Sequence, residues 1–528
     1  MEQTFNLSAY KMRSAFFGIA ENKKQCKKEK EIMNFANAVK TNTDIKLTEN
    51  GARAYSTTGK ALLDLFAQIG ALRPRTEREI ADKYAAAFAA DPMLATKMLF
   101  YAGNVRGGLG ERRTFRICLK WLATNHANIV IKNAALIPHF NRWDSMFVLI
   151  GTPAEAEMWK VISDQLNTDM AAVAASRSGR KVQPISLLAK WMPTETASSK
   201  DTRALARKCM TNLGVTPRAY RKVLSALRKH LKVVEASMSA QEWNEIQYAQ
   251  VPSYAMKNYR AAFAKHDPDG FSAYKASLVK GETKVNASTL YPYDLVAQYT
   301  KRCGYWGRSC AADTIVEAQW KALPNYVKGE NNILVMADVS GSMSGRPMDT
   351  SIGLATYFAQ HNKGDYHNLY MTFTNQPHFI TLREGASLAE CVSKVMGTDV
   401  GYNTNLEAAF NYILQHAINN GVSDKELPKA LVVVSDMEID RYMRQNKMDF
   451  VDAMRVKFAR HGYTFPKLIL WNVEARHDTF LTKQEDVLCV SGQAASTFRE
   501  LCGNLDGKTA WDLMLETLGN KMYDCIRI

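Results

Sequence analysis

The chain has 528 residues, 46% of them hydrophobic and 23% charged, which is too long for one ordinary domain and excludes a disordered or fibrous class. No apolar stretch approaches the roughly 20 residues that cross a bilayer, and the start, MEQTFNLSAYKMRSAFFGIA, lacks the pattern of a signal peptide, so a cytoplasmic protein without a membrane partner is expected. The net charge of +16 is unevenly placed: residues 331–528 hold 19 Lys and Arg against 23 Asp and Glu, leaving 49 basic and 29 acidic residues, a charge of +20, for residues 1–330. Such asymmetry points to a polyanion meeting the first part: RNA, DNA or an anionic membrane surface.

Residues 1–50 show weak periodicity and a lysine cluster, KKQCKKEKE, and predict a basic arm. The nine cysteines are scattered without C-x-x-C spacing; Cys303 and Cys310 are the closest pair, and free thiols are expected. STTGKALL fails as a phosphate loop, because Ala54 stands where the first glycine belongs and Ala61 replaces the final Ser or Thr.

From Lys60 to Val327 apolar residues recur at three- and four-residue spacing, as in TEREIADKYAAAFAA, PMLATKMLFYAG and TFRICLKWLATN. Pro92 after Asp91 suits a cap followed by a first turn. No strand alternation stands out here. Helices of this length in succession predict stacked pairs, a degenerate HEAT-like solenoid over 51–330.

Two of these helices carry basic stripes. In RGGLGERRTFRICLKWL, which begins at Arg106, Gly107, Gly108 and Gly110 make a turn and Glu111 enters the first helical turn. Arg112, Arg113, Arg116 and Lys120 then share an arc of about 100°. In PRAYRKVLSALRKHLK, Arg218, Arg221, Lys222, Arg228, Lys229 and Lys232 share about 120°, opposite Val223, Leu224, Leu227 and Leu231. Like charges at i, i+4 repel, and phosphates would relieve that repulsion with release of counterions. The competing reading is a solvated face, or acids on neighbouring helices.

After Glu330 the pattern changes. Short apolar runs (ILVMA, LYMTF, HFITL, ALVVV, KLILW, VLCV) alternate with helical stretches such as MDTSIGLATYFAQH, TNLEAAFNYILQHA, MDFVDAMRVKFARHG and AWDLMLETLG. That is the grammar of βαβ units and a largely parallel sheet over 331–528, whose ligands bind at the carboxyl ends of the strands.

Asp338, Ser340 and Ser342 sit at such an end, in NNILVMADVSGSMSG. Alternate residues of an extended loop point the same way, so both hydroxyls can face one hard cation such as Mg2+, which takes about six oxygens. Thr404, expected at the N-cap of a following helix, and Asp436, at the end of the next buried run, are placed to complete the shell. A turn that merely ends a strand is the plainer alternative. No general base, second metal site, G-x-S-x-G or His with an orienting acid is evident, so a non-enzymatic role is expected.

This constellation resembles the von Willebrand factor A domain and its metal-ion-dependent adhesion site, which implies a Rossmann-like α/β fold and a cation with one position open for an acidic partner. YAGNVRGGLGERR, LIPHFNRWDSMFVLI and MADVSGSMSG, in that order, resemble the Ro autoantigen family, which joins a ring of HEAT-like helices, the TROVE module, to a von Willebrand A domain. KWMPTETASSK, RKVLSALRKHLKVVE, NASTLYPYD and VVVSDMEID look like a divergent Ro-like branch. The resemblance implies a monomeric ribonucleoprotein component or RNA quality-control scaffold. Its helical ring would bind small noncoding RNA and single-stranded 3' ends. Ro's Trp-Thr-His-Lys type segment has no counterpart near KWMPTETASSK, so the RNA contacts above rest on charge geometry. The alternative is a metal-dependent protein-binding scaffold without specific RNA function.

Overall fold

The structure is a computed structural model that describes residues 44–177, 184–303, 310–374, 376–398, 401, 403–443, 448–503 and 505–528. Contacts divide the chain into Met1–Lys46 and Leu47–Ile528. Residues 1–43, which include the lysine cluster of the expected arm, lie outside the described residues.

The second unit is helical from Ala61 to Lys321 and α/β from Ile333 onward. Local caps explain several helix starts. Asp91 accepts a hydrogen bond from Leu94 N ahead of Pro92, and Thr76 and Glu79 form a reciprocal capping box. The helical run includes α1 (Arg112–Asn125), α2 (Pro217–His230) and α3 (Pro292–Cys303). Arg53–Tyr55 is one of two short strands, with Ile45–Leu47, that escaped the sequence reading. Its three residues are too few to alternate visibly, and Tyr55 bridges to Phe480, hundreds of residues away.

The α/β part holds six strands: β1 (Ile333–Asp338), β2 (Leu369–Phe373), β3 (His378–Thr381), β4 (Ala430–Ser435), β5 (Lys467–Asn472) and β6 (Leu488–Ser491). Their order is β3-β2-β1-β4-β5-β6, parallel throughout except for β3, which runs antiparallel to β2. Every residue of β1 and β4 is buried, as continuous apolar runs require in a sheet covered on both faces. Alternate residues feed two cores. Ile333, Val335, Val432 and Trp471 face α4 (Arg346–His361), whereas Leu334, Met336, Val433 and Leu470 face α5 (Leu406–Asn419). The helix Leu388–Met396, which the sequence reading did not single out, has its own capping box through Ser387 and Glu390.

Both ends of the helical run dock on the α/β part. The early helices share one apolar cluster with Ala475 and with Ala510, Met514 and Leu518 of α6 (Ala510–Leu518). At the other end Leu295, Val296 and Tyr299 of α3 pack into the sheet's own core against α4. Early and late loops of the helical run also meet directly, because Tyr291 Oη donates to Leu109 O at 3.5 Å. Gly70 shows how close the parts lie: a Cβ there would stand 2.6 Å from Gly492 Cα, just past β6. No described helix is long and apolar enough to cross a membrane.

Candidate metal site and basic surfaces

Strand register builds the first site. Ala337 pairs with Val434 in the parallel ladder, so Asp338 and Ser435 emerge side by side at the sheet's carboxyl edge. Ser435 Oγ donates to Asp338 Oδ2 at 2.6 Å, and Ser340 N donates to Asp338 Oδ1 at 3.0 Å. The chain then turns through Gly341–Met343, which brings Ser342 Oγ to 3.1 Å from Ser340 Oγ. Thr404 Oγ1 donates to Ser340 Oγ at 3.1 Å across the sheet edge. Asp436 follows β4; Glu438 N donates to its Oδ1 at 3.1 Å, and Ser342 is a further hydrogen-bonding neighbour.

The five predicted residues therefore converge. Asp338, Ser340, Thr404 and Asp436 are buried and Ser342 is half-buried, which puts the open side of the cluster at Ser342. One detail corrects the sequence reading: Asn405, not Thr404, caps α5, through its side chain and Ala408 N at 2.8 Å. Thr404 is thereby released to face Ser340.

Electrostatics test whether a cation fits. Burial, and then the charge of Asp436, push the Asp338 carboxyl well above the ordinary range. Burial likewise raises Asp436. Arg476 Nη2 donates to Asp436 Oδ2 at 2.5 Å, but among the described residues no basic side chain pairs with Asp338. A fully buried carboxylate without a counter-ion is costly. Two carboxylates and three hydroxyls form an all-oxygen donor set, which suits a hard divalent cation. These residues fit Mg2+.

Ser435 and Arg476 were missed by the sequence reading. Ser435 was readable as the neighbour of Asp436 once the register with Asp338 was known. Arg476 lies beyond β5, and no local pattern announces it. Beside it, Glu49, Glu438 and His477 hold ligand atoms within 4.8 Å of one another. The buried Glu438 already accepts from Glu49 N at 2.7 Å and Thr479 Oγ1 at 2.8 Å.

The basic residues divide by their partners. On α1, Arg112 Nη2 and Arg116 Nη2 lie 2.6 and 2.9 Å from Asp144 Oδ2. Arg113 turns elsewhere, donating to Arg75 O at 2.8 Å, while Arg106 donates to His139 O at 3.0 Å. Lys120 is exposed. Glu111 does not enter the helix: it is buried at the cap position and takes Arg73 Nε at 2.9 Å.

On α2 the stripe is only partly free. Arg228 is half-buried and donates to Ala189 O at 2.9 Å, Met192 O at 2.8 Å and Thr194 Oγ1 at 3.2 Å, so its guanidinium turns inward. Arg221 pairs with Glu195. Lys232 lies past the helix end at His230, with a φ of 48°, and leaves the helical arc. Arg218, Lys222, Lys229 and Lys232 are exposed, without an acidic partner among the described residues.

Comparison with known proteins separates the same two parts. Residues 48–142 and 206–333 match the family model of a domain of unknown function, DUF2828, and residues 332–509 match another, DUF7788. Over 495 residues the chain is 29% identical to an uncharacterized protein of Acanthamoeba polyphaga mimivirus, covering 86% of this chain and 84% of that one.

Proposed function

We propose that this chain is a Ro-like, non-enzymatic RNA-binding scaffold. On this reading the helical run is a HEAT-like ring closed within one chain, and the α/β part is a von Willebrand A-type domain. The observation that carries the RNA reading is the exposed row of Arg218, Lys222 and Lys229 on α2, which lacks neutralising acids among the described residues. It lies in the part of the chain that holds a charge of +20. Small noncoding or single-stranded RNA would displace counterions along it.

The second element is a docking point. Asp338, Ser340, Ser342, Thr404 and Asp436 would hold Mg2+, with the open side at Ser342. The ion, when bound, supplies a coordination position for an acidic side chain of a partner protein. Burial of the donors keeps their geometry fixed and limits the water around them.

Titrating labelled single-stranded and structured RNA against salt tests the first element. Wild type should bind with a steep salt dependence. Changing Arg218, Lys222 and Lys229 together to glutamate should abolish binding without unfolding the protein, since all three are exposed. Background binding for every RNA would refute the reading. It would favour the second one, a metal-dependent protein scaffold, which the inward turn of Arg228 and the pairing of Arg221 with Glu195 support.

A further inference from the structure

Glu49, Glu438 and His477 come from three distant stretches and meet next to the Mg2+ cluster. Glu49 lies in the turn before Arg53–Tyr55, Glu438 follows β4 and His477 follows β5. Neighbouring hydrogen bonds fix the meeting: Thr48 Oγ1 donates to Ile439 O at 2.7 Å, and Asn50 Nδ2 donates to Glu438 O at 2.8 Å. His477 Nδ1 then stands 3.4 Å from Glu49 Oε1 and 3.4 Å from Glu438 Oε1. A good hydrogen bond would draw the ring to about 2.9 Å from one of them. Ligand atoms about 2.05 Å from a tetrahedral ion stand about 3.3 Å apart. The equal spacing is that of ligands around an ion.

Burial and charge point the same way. The Glu438 side chain is 2% exposed. Arg476 Nη2 serves Asp436 Oδ2 at 2.5 Å and Glu49 Oε2 at 3.4 Å, and among the described residues no lysine or arginine pairs with Glu438. A buried carboxylate with no fixed cation beside it is costly, and a bound divalent ion relieves that cost. Glu49 N and Thr479 Oγ1 hold the two Glu438 oxygens, at 2.7 and 2.8 Å, as outer-shell hydrogen bonds do at metal centres. Gln68, 1% exposed, donates through Nε2 to His477 O at 3.5 Å, and its Oε1 has no hydrogen-bond partner. An orphaned buried acceptor of this kind finds its donor in ordered water, such as an ion carries.

The donor set differs from that of the first cluster. One imidazole nitrogen with two carboxylates suits Zn2+ and its neighbours in the first transition row, whereas Mg2+ prefers oxygen alone. The Glu49 and His477 side chains are 41% and 48% exposed, which gives an ion access and leaves its fourth position to water.

We infer that Glu49, Glu438 and His477 form a second metal site, for a transition cation of the Zn2+ class. The ion clasps the segment before Arg53–Tyr55 to the loops after β4 and β5. The site depends on neither the RNA reading nor the Mg2+ reading.

The test uses the full chain, stripped with chelator and held in excess Mg2+. Isothermal titration calorimetry with Zn2+ gives affinity and stoichiometry, and Co2+ in place of Zn2+ gives a visible spectrum that reports the ligands. Wild type should bind one Zn2+ and show Co2+ bands without thiolate charge transfer. His477→Ala and Glu49→Gln alter exposed side chains and keep the fold, as circular dichroism checks. Each should weaken Zn2+ binding by about 100-fold or more, since losing even an outer-shell partner costs 10–100-fold. Asp338→Asn should bind Zn2+ as wild type does.

Absence of Zn2+ binding overturns the site. So does an affinity unchanged in His477→Ala or in Glu49→Gln. A thiolate band would move the ion to cysteine, and loss of binding in Asp338→Asn would move it to the first cluster; either result refutes the assignment.

Discussion

Replacing Asp338 by asparagine separates a cation site from a loop cap. In the wild type Asp338 is fully buried, and it accepts from Ser340 N and Ser435 Oγ. Asparagine keeps one acceptor, for Ser340 N. Its amide would face Ser435 Oγ, which can accept instead, although that hydroxyl also takes Met437 N at 3.1 Å. The hydrogen-bond loss is about 1 kcal/mol. Removing a buried charge beside Asp436 returns a similar or larger amount. Without metal the variant should therefore be about as stable as wild type. With Mg2+ at 100 times its dissociation constant, wild type should gain about 2.7 kcal/mol by mass action, a rise in Tm of a few degrees. The variant should show no rise. Differential scanning fluorimetry with a Mg2+ titration and a chelator control reads both effects. A variant that retains the Mg2+ shift, or a wild type that never shows one, would refute the assignment.

Three further outcomes follow from the packing. Gly70→Ala should cost about 1–3 kcal/mol in urea unfolding, because its Cβ meets the Gly492 backbone, which has no side chain to move aside. Asp349→Asn probes a buried carboxyl raised to about 6, chiefly by burial, with Thr300 Oγ1 donating at 2.6 Å. Its folded value exceeds the unfolded 3.8, so its effect on stability becomes less favourable as pH rises from about 4 to 6 and stays so above. The asparagine variant should flatten the stability profile in that window and gain up to about 3 kcal/mol near pH 7.5, as read by denaturant midpoints. Arg228→Ala removes three inward hydrogen bonds and should lower stability by about 2–3 kcal/mol while leaving the salt slope of RNA binding unchanged; a slope lowered by one would return Arg228 to the binding surface.

Much of the layout was legible because it is local. The six apolar runs after Glu330 became the six strands to within a residue or two. The convergence of the candidate residues was legible where they cluster in sequence, in Asp338, Ser340 and Ser342, and where strand ends repeat, in Asp436. The basic stripes were less legible. Helical geometry groups Arg218, Lys222 and Lys229 on one face of α2, but it carries no information on the end of the helix before Lys232, on Glu195, or on the carbonyls of Ala189 and Met192 that occupy Arg221 and Arg228. Asp144 illustrates the same limit: it stands 32 residues from Arg112 in the chain and 2.6 Å away in space.

The change from helical to α/β grammar and the oxygen-rich turn after β1 are written locally, since side-chain period and turn chemistry are set by residues a few positions apart. Tertiary structure alone decided which charges are spent. Arg476 reaches Asp436, Arg228 turns inward, and the two ends of the helical run close on the α/β part. Each of these depends on which distant surfaces exclude water together, and no local period encodes that.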